Sequence, residues 1–331
     1  MFYRILILIL LFFISCNRDV KVFDFSGRTM GTTYSIKAVS KNNLLNYQKI
    51  QDDIDSLLFL YNLYFSNYID SSEVSIVNRK KSIQYIEVSD IFFDLLVEAK
   101  KININTNGAF DITIAPLINL WGFNNIDKEI KLPTKKQIDS TLNLTGSDKL
   151  DLSFGKLKKK NPYLNLDFNA IAKGGGVDYL ARYFDKIGIN DYLIEIGGEV
   201  YVSGYNYSGY MWRVGIQVPE QFSLNIISTI NVSDVAIATS GTYENYFEID
   251  GINYSHILNP ISGKPIKHDL VSATVIAPTA LIADALATSF MVMGYDKALD
   301  WANNNEDVEC YLIRKKDDGS YLIGKTDKFP I

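Results

Sequence analysis

Apolar residues recur at helical spacing from Gln48 to Tyr64 and from Ser89 to Ile104, which predicts two amphipathic helices. The polar stretch from Asn67 to Glu73 between them reads as a turn, with Ser71 or Ser72 placed to cap the short segment that follows. Pro133 is read as the first residue of a helix running to about Leu144. Gly174 to Ile187 reads as another helix, opened by three glycines. Beyond it the pattern turns strand-like. Tyr192 to Ile196 leads through Gly197-Gly198 into Glu199 to Val202, and Met211 to Val218 alternates in the same way. Asp250-Gly251 and Asp318-Gly319 sit between short apolar runs as hairpin turns. Strands bunched together, with helices inserted between the groups, predict an α+β fold rather than an alternating parallel sheet. With no internal repeat and no low-complexity linker, the chain reads as one catalytic unit with room for two lobes around a cleft.

Leu281 to Phe290 is an apolar helix that carries one carboxylate, Asp284, and one turn later a hydroxyl, Thr288. At i and i+4 the two oxygens face the same way. An unpaired carboxylate buried among Ala, Leu and Ile costs several kcal/mol, so Asp284 must be protonated, salt-bridged or neutralised by a cation. A hard cation such as Mg²⁺ suits two oxygen ligands. The plainer reading pairs Asp284 with a lysine and bonds Thr288 back to its own helix.

Composition narrows the setting. One arginine, an apolar run from Ile5 to Ile14 and Ser15-Cys16 describe a secretory leader of the lipoprotein type. The run is shorter than the about 20 residues that span a bilayer. The expected organisation is a signal peptide over 1–15, a tether over 16–28 lipidated at Cys16, and a domain over 29–331. The protein would then be exported and lipid-anchored to a bacterial membrane, facing the periplasm. Cys310 is the other cysteine, so no disulfide framework is available. A formal net charge of −5 with no basic stripe excludes nucleic acid as the expected partner.

Four further segments carry candidate chemistry: Met30-Gly31 before a strand; the loop from Gly108 through Ala109, Phe110 and Asp111 to Phe123; Leu166 to Gly176, with Asp167, Lys173 and a glycine-rich helix start that suits phosphate; and Tyr254 to Pro260, with His256. In this order MGTTY, SNYIDSSEVS, GAFDITIAPLINLWGF, LDFNAIAKGGGVDYLA, YLIEIGGEV, ATSGTYENYFEIDG, YSHILNPISGKPI and ATVIAPTALIADALATSFMVMG resemble the ApbE family, over nearly the whole chain after the leader.

That resemblance implies a T-fold-like α+β core and an FAD:protein FMN transferase, in which Mg²⁺ supports transfer of the FMN half of FAD to a threonine of a partner, with AMP released. By the same resemblance Asp284, Thr288 and the Ala170 carbonyl hold the metal. Met30, Tyr68, Ala109, Phe110, Asp111, Asp167, Lys173 and Leu258 match positions that contact FAD. Some members carry an Asp just before the threonine, where this chain has Ala287. His256 is the candidate base at neutral pH. Expected acceptors are exported flavoproteins or subunits of membrane redox pumps. Water as acceptor would give an FAD pyrophosphatase instead, and loss of chemistry an FAD-binding lipoprotein.

Overall fold

The computed structural model describes residues 20–40, 45–123, 132–220, 225–242, 246–249 and 252–331. Its centre is an eight-stranded sheet built from β1 (Lys21–Thr29), β2 (Thr32–Ser40), β3 (Asp191–Ile196), β4 (Glu199–Ser203), β5 (Val235–Gly241), β6 (Leu270–Ala277), β7 (Glu309–Lys315) and β8 (Tyr321–Lys325). The strands lie side by side in that order, every neighbouring pair antiparallel. The fold is therefore α+β. β1 lies inside the span that the sequence reading gave to a tether. Phe23 and Phe25 alternate inward on it and pair with Ala38 and Ile36 of β2, which fixes residues 21–28 as an edge strand and shortens any tether.

Alternation along the strands sends two sets of side chains to opposite faces. Tyr34, Ile36, Ile194, Ile196, Ala238, Val275 and Leu312 join the main core beneath the helices. Val39, Val202, Ile237, Ile276 and Ile313 meet Trp212, Ile216 and Ile230, from an antiparallel hairpin of Trp212–Gln217 with Ile226–Val232 on the other side. Both faces are thus covered.

The helices are α1 (Tyr47–Phe65), α2 (Glu73–Arg79), α3 (Asp90–Asn105), α4 (Ala115–Trp121), α5 (Lys135–Leu142), α6 (Ala172–Lys186), α7 (Ala280–Met293) and α8 (Tyr295–Asn303). α1 buries Ile50, Ile54, Leu58, Tyr61 and Phe65, the spacing of one face. Ser72 and Ser89 cap α2 and α3 by accepting from Ser75 and Phe92 N–H. Pro133 is not the first residue of α5. Thr134 and Gln137 form a reciprocal capping box, so the helix starts at Lys135 and Pro133 lies before the cap. α6 starts at Ala172, two residues ahead of the expected Gly174, and holds all three glycines within the helix.

A small sheet of Ile86–Glu87, Lys156–Lys159 and Leu150–Ser153 lies under α3. Tyr246–Ile249 pairs with Ile252–Ser255, as a hairpin requires; the Asp250-Gly251 turn itself lies outside the described residues. Cys16 and the whole leader lie outside them too. No described helix is long and apolar enough to cross a membrane.

Candidate active site

The junction of α6 with α7 is where sequence and geometry meet. A side chain at Gly174 would place its Cβ 2.1 Å from the Ala280 carbonyl oxygen, so only glycine lets the two helices come this close. At that approach the Gly174 N–H donates to Asp284 Oδ2 at 3.0 Å. Gly174 lies in the first turn of α6, whose N–H groups have no partner within the helix, and Ala170 stands before the cap Ile171, so its carbonyl lies outside the helix ladder. Asp178, from the next turn of α6, accepts from the N–H groups of Ala280 and Leu281 at 2.8 and 2.9 Å and so closes the start of α7.

Asp284 is buried, and burial raises its pKa, with nearby Lys173 and the Gly174 N–H acting the other way. The plainer sequence reading would have a lysine bond this carboxylate. Instead the Lys173 ammonium makes an ion pair with Glu199, the first residue of β4. Glu199 is itself 2% exposed, pushed up to about 8 by burial and by the negative charge of Asp284, while Lys173 pulls it down. Its second oxygen is buried without a hydrogen-bond partner among the described residues. Two buried carboxylates thus flank one lysine. Thr288 does not bond back to its helix either: its hydroxyl meets Ser240 Oγ of β5 at 3.1 Å, whereas its neighbour Ser289 takes the back-bond to Ala285.

A hard cation fits this donor set. It offers one buried carboxylate with no lysine hydrogen bond among the described residues, the Ala170 carbonyl just before the α6 cap and a pair of hydroxyls. The described residues hold no cluster of three or more His, Cys, Asp or Glu side chains, so a nitrogen- or thiolate-rich centre is not what they build. Ala287 is fully buried in the main core and its side chain supplies no oxygen.

Around this junction the remaining expected residues fall into two groups. Met30 occupies the turn between β1 and β2 at φ 48°, with its Cε against Gly176 in the first turns of α6. Asp167 forms the second group: it accepts from Asn67 Nδ2 at 2.8 Å and from Asn169 N–H at 2.8 Å, while burial raises its pKa. A cavity of about 280 Å³ opens beside it, lined in part by Asn78, Arg79, Ala115 and Asn119. Tyr68, 75% exposed, stands in the turn that carries Asn67, its ring free to stack on a planar ligand. The Asp167 N–H donates to the Ile112 carbonyl at 2.7 Å, tying in the loop of Ala109, Phe110 and Asp111. Ala109 and Phe110 are buried in the core. Asp111 is turned inward, one oxygen accepting from Thr113 and the other from Ser147 N–H, so its carboxylate shapes the loop. Leu258 packs with Leu117, Trp121 and Ile138 in a separate apolar cluster. His256 is half-buried between the strands Ile252–Ser255 and Leu258–Asn259.

Glu199, Asp178, Ser240 and Asn67 were not singled out from sequence. Glu199 carried a signal, a carboxylate directly after Gly197-Gly198 between two apolar strands. Ser240 lies in the quoted ATSG stretch, but its place beside Thr288 exists only once β5 lies under α7.

The sequence profile of the ApbE family matches residues 30–312. The FAD:protein FMN transferase of Vibrio cholerae is 39% identical over 310 residues, covering 94% of this chain and 92% of that protein. That of Haemophilus influenzae is 36% identical, covering 92% and 90%. Among solved structures, the flavin transferase ApbE from Vibrio cholerae superposes with a TM-score of 0.85 at 37% identity, over 94% of this chain and 98% of that one. The apo flavinyl transferase ApbE of Pseudomonas stutzeri gives 0.85 at 32%, over 93% and 95%. A match of this length in sequence, joined to the same architecture throughout, makes this chain a member of the ApbE family.

Proposed function

We propose that this chain transfers the FMN half of FAD to a threonine or serine hydroxyl of an exported or membrane flavoprotein, such as a subunit of a membrane redox pump, and releases AMP. Membership of the family supports the reaction class. The observation that carries the reading to these residues is Asp284, buried at a helix junction with a backbone N–H as its hydrogen-bond donor.

In the reaction a bond forms between the acceptor oxygen and the FMN phosphorus, and the bond from that phosphorus to the oxygen of the AMP phosphate breaks. Asp284, Thr288 and the Ala170 carbonyl would hold Mg²⁺. When bound, the ion neutralises charge on the pyrophosphate and its leaving half. Lys173 holds a positive charge at the start of α6, fixed by Glu199. Asp167, oriented by Asn67 and Asn169, accepts from a sugar or base donor of FAD. Tyr68 stacks, and Met30, Ala109, Phe110 and Leu258 shape the cleft. His256 takes the acceptor proton, and a docked acceptor excludes water. Lipid attachment at Cys16 would hold the enzyme on the periplasmic side of a membrane, where such acceptors reside.

The test incubates the purified protein with FAD, Mg²⁺ and a candidate acceptor, reading in-gel flavin fluorescence, acceptor mass and AMP. Covalent FMN on the acceptor is expected, absent with EDTA and absent when FMN replaces FAD, since FMN carries no AMP to leave. His256→Asn should slow transfer and leave FAD binding intact. Free FMN and AMP with unlabelled acceptors would establish a pyrophosphatase, and intact FAD a binding protein.

A further inference from the structure

The loop that joins β4 to the Trp212–Gln217 strand presents Tyr205, Tyr207, Tyr210 and Met211 to solvent, with exposures of 54, 71, 72 and 49%. Four large side chains held in water carry no benefit to folding. The loop is nonetheless firmly built. Asp234 accepts from the Gly204 N–H at 3.0 Å, Asp191 from the Tyr205 N–H at 2.8 Å, and Asn206 Oδ1 from the Ser208 N–H at 2.9 Å. Trp212 Nε1 donates to the Ser203 carbonyl at 2.8 Å. Rigid tyrosines with an apolar body and a polar tip suit the boundary between water and lipid.

Sheet register places this loop at the beginning of β1. Ser203 pairs with Tyr192, Tyr192 with Ala38 and Ala38 with Phe23, so the chain leaves the sheet beside Val22. A shallow hollow joins Val22, Asp24, Lys37 and Val39 to Asn206, Tyr207 and Trp212. Val20 and Val22 are themselves 42 and 45% exposed. Four residue steps separate Cys16 from Val20, a reach of at most about 14 Å even when fully extended. A bilayer that holds Cys16 must therefore lie close to Val20, and hence close to the tyrosine loop.

We propose that Tyr205, Tyr207, Tyr210 and Met211, together with Val20 and Val22, form the face on which the domain rests against a lipid bilayer. The proposal builds on the lipid-anchored reading of Cys16. Met30, Glu199 and Ser240 all lie toward the opposite end of the same sheet, because β1 runs from Lys21 at the loop end to Thr29 at the cleft end. Eight strand steps of about 3.3 Å lift the cleft roughly 25 Å above the lipid surface and turn it outward. The acceptor must then present its hydroxyl well clear of the membrane.

The test reconstitutes the full-length lipidated protein into phosphatidylcholine vesicles whose acyl chains carry bromine near the headgroups. A fluorophore is attached at Tyr207→Cys, or at Asp317→Cys in the exposed turn after β7, at the other end of the sheet. Cys310 is buried and does not compete for the label. The probe at 207 should be quenched about twofold or more and the probe at 317 left bright. Vesicle-bound protein whose probe at 207 stays as bright as that at 317 overturns the docking face while keeping the anchor. Protein that fails to float with vesicles overturns both.

Discussion

Asp284 and Glu199 share the field of one lysine, and this fixes what single substitutions should do. Asp284→Asn keeps an acceptor for the Gly174 N–H but loses the charge that draws a cation. Transfer should fall by about 100-fold or more. The metal-free melting temperature should hold or rise, because a buried charge beside a second carboxylate is removed. Near-normal turnover, or no loss of Mg²⁺ affinity by calorimetry, would show that the ion is held elsewhere. Glu199 gives a pH signature. Its folded pKa of about 8 lies above its ordinary 4.5, so the folded state binds the extra proton between those values. Its contribution to stability is complete below pH 4.5 and is lost as pH rises through 8. Melting curves of metal-free wild type and Glu199→Gln should therefore diverge across that window, the wild type losing relative stability toward alkaline pH. Parallel curves would show that Glu199 is ionised throughout.

At the scale of elements, the α6–α7 junction rests on glycine. Gly174→Ala would drive a methyl against the Ala280 backbone, which cannot step aside, whereas Gly176→Ala meets the flexible end of Met30 at 2.7 Å. Overpacking of the first kind costs about 1–3 kcal/mol, so Gly174→Ala should melt earlier than Gly176→Ala and lose Mg²⁺ affinity with it. Equal melting temperatures would mean that the helices slide apart freely. Helix faces were legible in the sequence because spacing alone decides them: α1 and α3 fall within one residue of expectation at each end. The start of α5 was not, because Pro133 fits the first turn of a helix as well as the position before a cap, and the Thr134–Gln137 pair decides between them. β1 was missed for a related reason. Its outward residues, Val22, Asp24 and Ser26, are mixed in character at the open edge of the sheet, so the alternation is faint. The candidate site was legible only as motifs, since Asp284 with Thr288 and Asp167 with Lys173 each lie in one short segment. Its partners Glu199, Ser240 and Asn67 come from distant segments; the glycine pair before Glu199 announces that residue, but not that it meets Lys173.

For the molecule as a whole, the same limit applies to topology: pattern predicts strands but not neighbours. The residues assigned to FAD and its metal in the proposed function span Met30 to Thr288, so on that reading FAD binds only the assembled domain. Saturating FAD should raise the melting temperature of the entire protein in a single transition. Separate transitions would mean that the lobes melt independently. The pairing of β2 with β3 has a kinetic consequence. Tyr34 lies opposite Ile196, and Ser35 opposite Glu195, so about 160 residues of chain must be closed into a loop before that ladder can zip. An antiparallel sheet completed by so distant a pairing belongs among slow folders, and stopped-flow refolding should show its main phase at about milliseconds to seconds rather than microseconds. Until Ile196 arrives, the first hairpin is bare at both edges. A chain delivered through a secretion channel in extended form would gain from that delay, for the sheet cannot shut before its middle strands have crossed.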